Sequence, residues 1–256
     1  MSSLGLSRTL LVNREKPPFD NPELRRAMAL SLDRKAFIDI ITDGQGDIGG
    51  VMQPPPEGLW GMPSEMLKTL PGYGDDAQQN RSQAREIMKK LGYGPDHRLQ
   101  IKTSVRDIPY LRDPAVLLND QLKETYIDGE LEIIDTTQWF PRVMRHDYTV
   151  ALAPLGVSDP DQTLYNAFGC GGDLNYNGYC NAEIDKLIDL QSAETDPQKR
   201  KALVWEIEKI LAEDGARPII FFDRRATCWQ PQVKGFTIMI NSIFNGARME
   251  DVWLDR

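Results

Sequence analysis

The sequence is short of the residue types from which most catalytic and metal centres are built. In 256 residues it has two histidines, His97 and His146, and three cysteines, Cys170, Cys180 and Cys228. Cys170 and Cys180 lack Cys-x-x-Cys spacing and both histidines are far from them in sequence, so no metal site is expected. General-base chemistry would have to rest on carboxylates, yet the acidic pairs Asp75-Asp76 and Glu213-Asp214 read more simply as a turn and a helix end. There is no Gly-x-Ser-x-Gly elbow, Walker loop or His-Glu-x-x-His pair. No catalytic residue and no cofactor is therefore expected. Positive charge is also scarce: 30 basic against 38 acidic residues leave a formal charge of −8. Without a Lys/Arg-rich stripe to neutralise phosphates, nucleic acid is not an expected partner. No apolar run approaches the roughly 20 residues that span a bilayer. Residues Met1 to Arg8 carry neither a basic n-region nor an apolar h-region. Taken alone this points to the cytoplasm; a sequence that begins partway through a longer protein would look the same.

What is present is a core-forming chain, 41% hydrophobic, with well-marked helix starts. Thr9–Val12 reads as a strand. Asn21-Pro22-Glu23 and Asp33 each cap a helix, the second presenting Phe37, Ile38 and Ile41 on one face. Residues 43–75 are rich in Gly and Pro and predict irregular chain, which Val51, Met52, Leu59, Trp60, Met62, Met66 and Leu67 should hold against the core. Ala84, Ile87, Met88 and Leu91 form a helical stripe ending at Gly92. Strands are expected at Leu99–Thr103, Leu131–Ile134, Tyr148–Leu152 and Pro218–Phe222. Helices are expected from Asp113-Pro114, over Gln138–Met144, from Asp159-Pro160, from Asn181 and from Asp196-Pro197. The β-α-β-α-β run predicts an α/β fold with parallel pairing in its sheet. From Thr227 onward Trp229, Val233, Phe236, Ile238, Ile240, Phe244, Val252 and Trp253 follow no helical period, and an extended tail seeking a partner surface is expected. Cys170 and Cys180 bracket a polar Gly/Asn-rich loop; a bridge there would stabilise by roughly 2–3 kcal/mol in the chain-entropy picture, with two separate thiols as the alternative.

Several blocks in sequence order resemble one family. They are Asn13 with Pro18-Phe19-Asp20, Leu24-Arg25-Arg26-Ala27 and Leu32-Asp33-Arg34; Asn175-Tyr176-Asn177-Gly178-Tyr179 with Asn181-Ala182-Glu183 and Asp185-Lys186-Leu187-Ile188; Ala216-Arg217-Pro218-Ile219-Ile220; and Val233-Lys234-Gly235-Phe236. Together they are similar to the C-terminal half of family-5 (peptide/oligopeptide-type) solute-binding proteins of bacterial ABC importers. The resemblance implies a periplasmic binding protein-like lobe, a mixed sheet flanked by helices, over residues 1–226, and a tail, 227–256, that returns to a missing N-terminal lobe. It also implies a periplasmic protein that captures a peptide-like or other small solute by closure of two lobes and hands it to a membrane permease. Cys170 and Cys180 resemble the paired cysteines that some dipeptide-binding members place around this loop.

In peptide-binding members an acid shortly before the Asp-Pro pair holds the ligand's α-amino group. Here that position is Gly156, and Ala153 stands where Trp is usual, so the ligand lacks an α-ammonium or another acid receives it. Ser158, Asp159 and Asp161 adjoin this segment; either acid could face the cleft, while Asp159 could equally be a helix cap before Pro160. Arg106, just past a strand end, matches loosely the place of a carboxylate-binding Arg in dipeptide binders. Trp139 and Trp60 are candidates to line the cleft or to fill the core. Two other readings remain: a stand-alone interaction module, able to dimerise through an exposed lobe interface, and a carboxylate-dependent hydrolase.

Overall fold

The computed structural model describes residues 2–238 and 247–255. Strand β1 (Ser2–Val12) ends at Asn13, whose side-chain amide donates to the carbonyls of His146 and Tyr148. Helix α1 (Pro22–Ser31) starts with Asn21 accepting the Glu23 N–H and Pro22 at the first helical position; α2 (Arg34–Thr42) starts with Asp33 accepting the Ala36 N–H. Residues 43–75 contain only β2 (Gly46–Asp47) and the single turn α3 (Ser64–Leu67). Their apolar side chains divide: Val51, Met52, Met62 and Leu67 are buried, whereas Leu59 and Met66 are exposed.

Helix α4 (Ala77–Lys90) gives way to Gly92 at φ +87°, a left-handed exit that a side chain would resist. Then come β3 (Leu99–Arg106), α5 (Pro109–Lys123), β4 (Ile127–Ile134), α6 (Thr136–Met144) and β5 (Val150–Gly156). The expected start of α5 at Asp113-Pro114 is corrected: the helix begins at Pro109 and Pro114 lies inside it. Proline has no N–H for the carbonyl four residues back, that of Tyr110. Arg8 supplies the missing donor, its Nη1 lying 2.9 Å from Tyr110 O. Strands β3 and β5 also run further than the residue pattern indicates, to Arg106 and Gly156. Helices α7 (Pro160–Phe168), α8 (Ala182–Ala193) and α9 (Pro197–Glu213) begin at Asp159, Asn181 and Asp196, each accepting a first-turn N–H, and β6 (Ile219–Arg225) follows.

The six-stranded sheet has the order β2-β6-β1-β5-β3-β4, with β3 parallel to β4 and β5, and β1 antiparallel to β5 and β6. It is a mixed sheet flanked by helices, the expected α/β class. Leu10, Val12, Ile101, Val105 and Leu152 pack on one side against α1, α2, α4 and α5. On the other, Leu11, Ala151 and Ala153 meet α6, while Leu155, Ile219 and Phe222 meet α7, α8 and α9. Alternation of side chains along each strand lets one layer serve both cores.

The loop before α8 is held by its own polar groups as well as by a disulfide between Cys170 and Cys180, with Cα atoms 4.4 Å apart. Asn175 donates to Gly169 O and Tyr179 O and accepts the Tyr179 N–H, while Asn177, fully buried, donates to Ala216 O. In the tail, β7 (Val233–Lys234) pairs with β10 (Trp253–Leu254), and β8 (Thr237–Ile238) with β9 (Ala247–Arg248). The Trp229 and Phe236 rings lie tilted against each other with centres 4.9 Å apart, and Trp229, Trp253 and Leu254 are about half exposed. Ile240 and Phe244 lie outside the described residues.

Beneath the irregular segment Glu208 of α9 is buried and accepts the Met52 N–H at 2.6 Å. A Cβ on Gly50 would fall 2.6 Å from Glu208 Oε1, so the chain passes close to the acid at a residue without a side chain. Burial pushes the carboxyl up to about 8. The folded state therefore holds a proton that the unfolded chain releases near 4.5, and this contribution to stability declines as pH rises from that value towards 8. In urea unfolding at pH 5 and pH 8.5, Glu208→Gln should lose less stability between the two than the parent; equal losses would refute the assignment. Separately, replacing Cys170 and Cys180 together by Ala should lower stability by about 2–3 kcal/mol at fixed pH, measured by the same titration.

Candidate functional site

Strands β3, β4 and β5 run the same way, so Arg106, Ile134 and Gly156 end along one edge of the sheet. Strand β1 begins at this edge and β6 ends there, Leu6 lying opposite Gly156 and Ser2 opposite Arg225. The starts of α5, α6 and α7 follow directly from these strand ends. The carboxyl edge of such a sheet is where α/β folds expose backbone donors and helix starts to a ligand.

A pocket of about 150 Å³ lies here. It is lined by β5 from Ala153 to Gly156, by Trp139 and Phe140 of α6, and by Arg106, Tyr176 and Arg217. Trp139 is positioned by the small layer it shares with Leu11, Ala151 and Ala153, and is 3% exposed. Ala153 and Gly156 carry little side-chain bulk, which leaves the space between β5 and α6 open.

The charge in this pocket is positive. Arg217, immediately before β6, is buried, with Nε donating to Thr9 Oγ1 at 3.0 Å and Nη2 to Pro154 O at 3.1 Å. Desolvation lowers its guanidinium to about 10, so it remains charged at neutral pH. Arg106 donates from Nε to Thr136 Oγ1 at 3.1 Å, and its guanidinium lies 5.9 Å from the Phe140 ring centre. Among the described residues no carboxylate ion-pairs with either arginine. Burial raises the Tyr176 phenol, against the opposing pull of Arg217. Tyr148 Oη donates to the Tyr176 carbonyl at 2.5 Å and ties this loop to the start of β5.

Of the six residues singled out from the sequence, the structure brings Arg106, Trp139 and Gly156 together at the pocket. Ser158, Asp159 and Asp161 lie at the start of α7 and are engaged there. Asp159 accepts the Asp161 N–H and holds Arg200 through both oxygens, at 2.5 and 3.2 Å. Ser158 Oγ donates to Gln162 Oε1, and Asp161 Oδ1 accepts from Gln191. Trp60 belongs to the same neighbourhood, under the Arg200 guanidinium at 4.6 Å. Arg217, Tyr176 and Phe140 were not anticipated. The signal for Arg217 is a lone cation inside the otherwise apolar run Ala216-Arg217-Pro218-Ile219-Ile220.

Residues 3–175 match the family described as "Bacterial extracellular solute-binding proteins, family 5 Middle". The chain is 25% identical over 248 residues to the probable D,D-dipeptide-binding periplasmic protein DdpA of Escherichia coli K12, covering 92% of this chain and 45% of that protein. It is 28% identical over 204 residues to di/tripeptide-binding protein 1 of Pseudomonas aeruginosa, covering 77% and 36%. Its fold superimposes on Haemophilus influenzae OppA, solved with the peptide RPPGFSPFR, with a TM-score of 0.78 at 22% identity, over 100% of this chain and 49% of that one. The chain thus spans less than half the length of these curated relatives. The match over residues 3–175, more than half of the sequence, places this chain among the bacterial extracellular solute-binding proteins of family 5.

Proposed function

We propose that this chain is the second lobe of a two-lobed solute-binding protein that captures a small solute and delivers it to the permease of a bacterial ABC importer, without catalysis. The observation that carries this reading is the pocket's position at the edge where β1 begins and β6 ends. In a two-lobed protein whose lobes are joined at that edge, a rotation there opens or closes the pocket. Residues 1–226 make up the lobe, and 227–256 pack against the other lobe, which accounts for the half-exposed Trp229, Trp253 and Leu254. The names of the relatives, peptide-binding and periplasmic, support a periplasmic location and a peptide-sized solute. Arg106, Trp139 and Gly156 contact the solute; Ser158, Asp159 and Asp161 fix the start of α7 beside it.

Deleting the gene from its source bacterium tests the reading. Spent medium should retain a small solute that the parent strain removes, and restoring the gene should restore its uptake. Unchanged depletion of every solute, under conditions where the gene is expressed, would overturn it. Conversion of the solute to a product by the purified protein would favour an enzyme instead.

A further inference from the structure

Burying a guanidinium is costly unless opposite charge or a full set of acceptors surrounds it. Two other buried arginines, Arg8 and Arg34, are surrounded differently. Arg8 is paired with Asp223 at 2.8 Å. Arg34 donates to Ile219 O and Gly72 O and lies 3.7 Å from the Tyr73 ring centre; the cavity beside it measures only about 20 Å³ and has Glu208 on its wall. Arg217, like Arg34, reaches two neutral oxygens and borders that small cavity, but it also borders a larger space. This second space is about 150 Å³, has no acid on its lining and is lined by another guanidinium, Arg106, which forms no ion pair among the described residues. The remaining surface is apolar, chiefly Trp139, Phe140, Leu111 and Leu174.

We propose that this pocket receives a small oxyanionic group, a carboxylate or a phosphate, carried on an apolar body, with Arg217 as a direct contact beside Arg106 and the body against Trp139 and Phe140. Two guanidinium groups lining one pocket suit paired hydrogen bonds to an oxyanion, and they repel an ammonium. Thr9 Oγ1 and Pro154 O fix the orientation of Arg217 through Nε and Nη2, so little side-chain freedom is lost when an anion binds. The inference rests on the solute-binding reading and names the chemistry of its ligand.

The test uses this chain with three probes: N-acetyl-L-phenylalanine, phenyl phosphate and L-phenylalaninamide. The readout is side-chain 15N–1H NMR of the Arg217 Nε–H and the Trp139 indole. At millimolar concentrations at least one anion should shift both resonances saturably and the amide should not; the stronger of the two anions identifies the source. Arg217→Gln should weaken that anion by about tenfold or more, whereas Arg26→Gln, exposed on α1 and outside the pocket, should leave it unchanged. Should Arg217→Gln fail to fold, Gly156→Asp at the exposed end of β5 serves in its place, its carboxylate competing for both arginines and abolishing the shifts. Saturable shifts with the amide alone, or with none of the three probes, overturn the proposal. In that event a deletion strain that leaves a neutral or cationic solute in the medium still upholds solute capture, whereas a strain with no uptake defect removes both.

Discussion

Everything in this lobe depends on β1 lying between β5 and β6. Its partners are more than a hundred residues away in sequence, and both pairings are antiparallel. Closing such long loops costs chain entropy that only the buried faces of the strand can offset. Leu10 and Val12 enter the core of α1, α2, α4 and α5, while Leu11 enters that of α6. A slip of one residue would exchange those faces and place Arg8 in the wrong layer. The register is therefore held from both sides of the sheet at once.

The same register decides where charge goes. Arg8 projects to the α5 side, where it meets Asp223, the Tyr110 ring at 4.0 Å and the carbonyl orphaned by Pro114. Tyr110 donates to Asp223 as well, at 2.5 Å, and burial beside that carboxylate pushes its phenol upward. This cluster is internally neutral and fixes the first turn of α5 against the sheet. Thr9, the next residue, faces the other side; its hydroxyl donates to Ala153 O at 2.8 Å and accepts from Arg217. Adjacent residues of one strand thus support a closed ion pair on one face and an open cationic pocket on the other.

A pocket of this kind is compatible with a stable lobe because its parts are held by groups outside it. Trp139 is packed by the Leu11 layer, the Tyr176 loop is tied by Tyr148, and the loop before α8 is held by Asn175, Asn177 and the Cys170–Cys180 bridge. Asp161 and Asp159 contribute in the same indirect way, by anchoring α7 to α8 and α9 through Gln191 and Arg200, and Ser158 by bonding Gln162 within α7. Their chemistry satisfies the protein's own donors and leaves the pocket without an acid.

Local chemistry made much of the architecture readable from the sequence. Helix starts at Asn21, Asp33, Asp159, Asn181 and Asp196 depend on a side chain two or three residues from the N–H it accepts, and each is found as expected. The same local rule misplaced the start of α5, because Pro114 is tolerated inside that helix only through Arg8, distant in sequence. Half of the anticipated site, Arg106, Trp139 and Gly156, meets at the pocket, since strand ends in a parallel run fall along one edge. The exact ends of β3 and β5 were not readable, because cross-strand pairing extends them. Nor was Arg217, whose neighbours in sequence are apolar and whose partners, Thr9 and Pro154, are supplied by β1 and β5. Sequence alone determined the helix caps, the α/β class and the family resemblance, all carried by short-range pattern. Tertiary structure decided which charges are neutralised and which remain open, because the partner of a buried charge is chosen by strand register and not by distance along the chain.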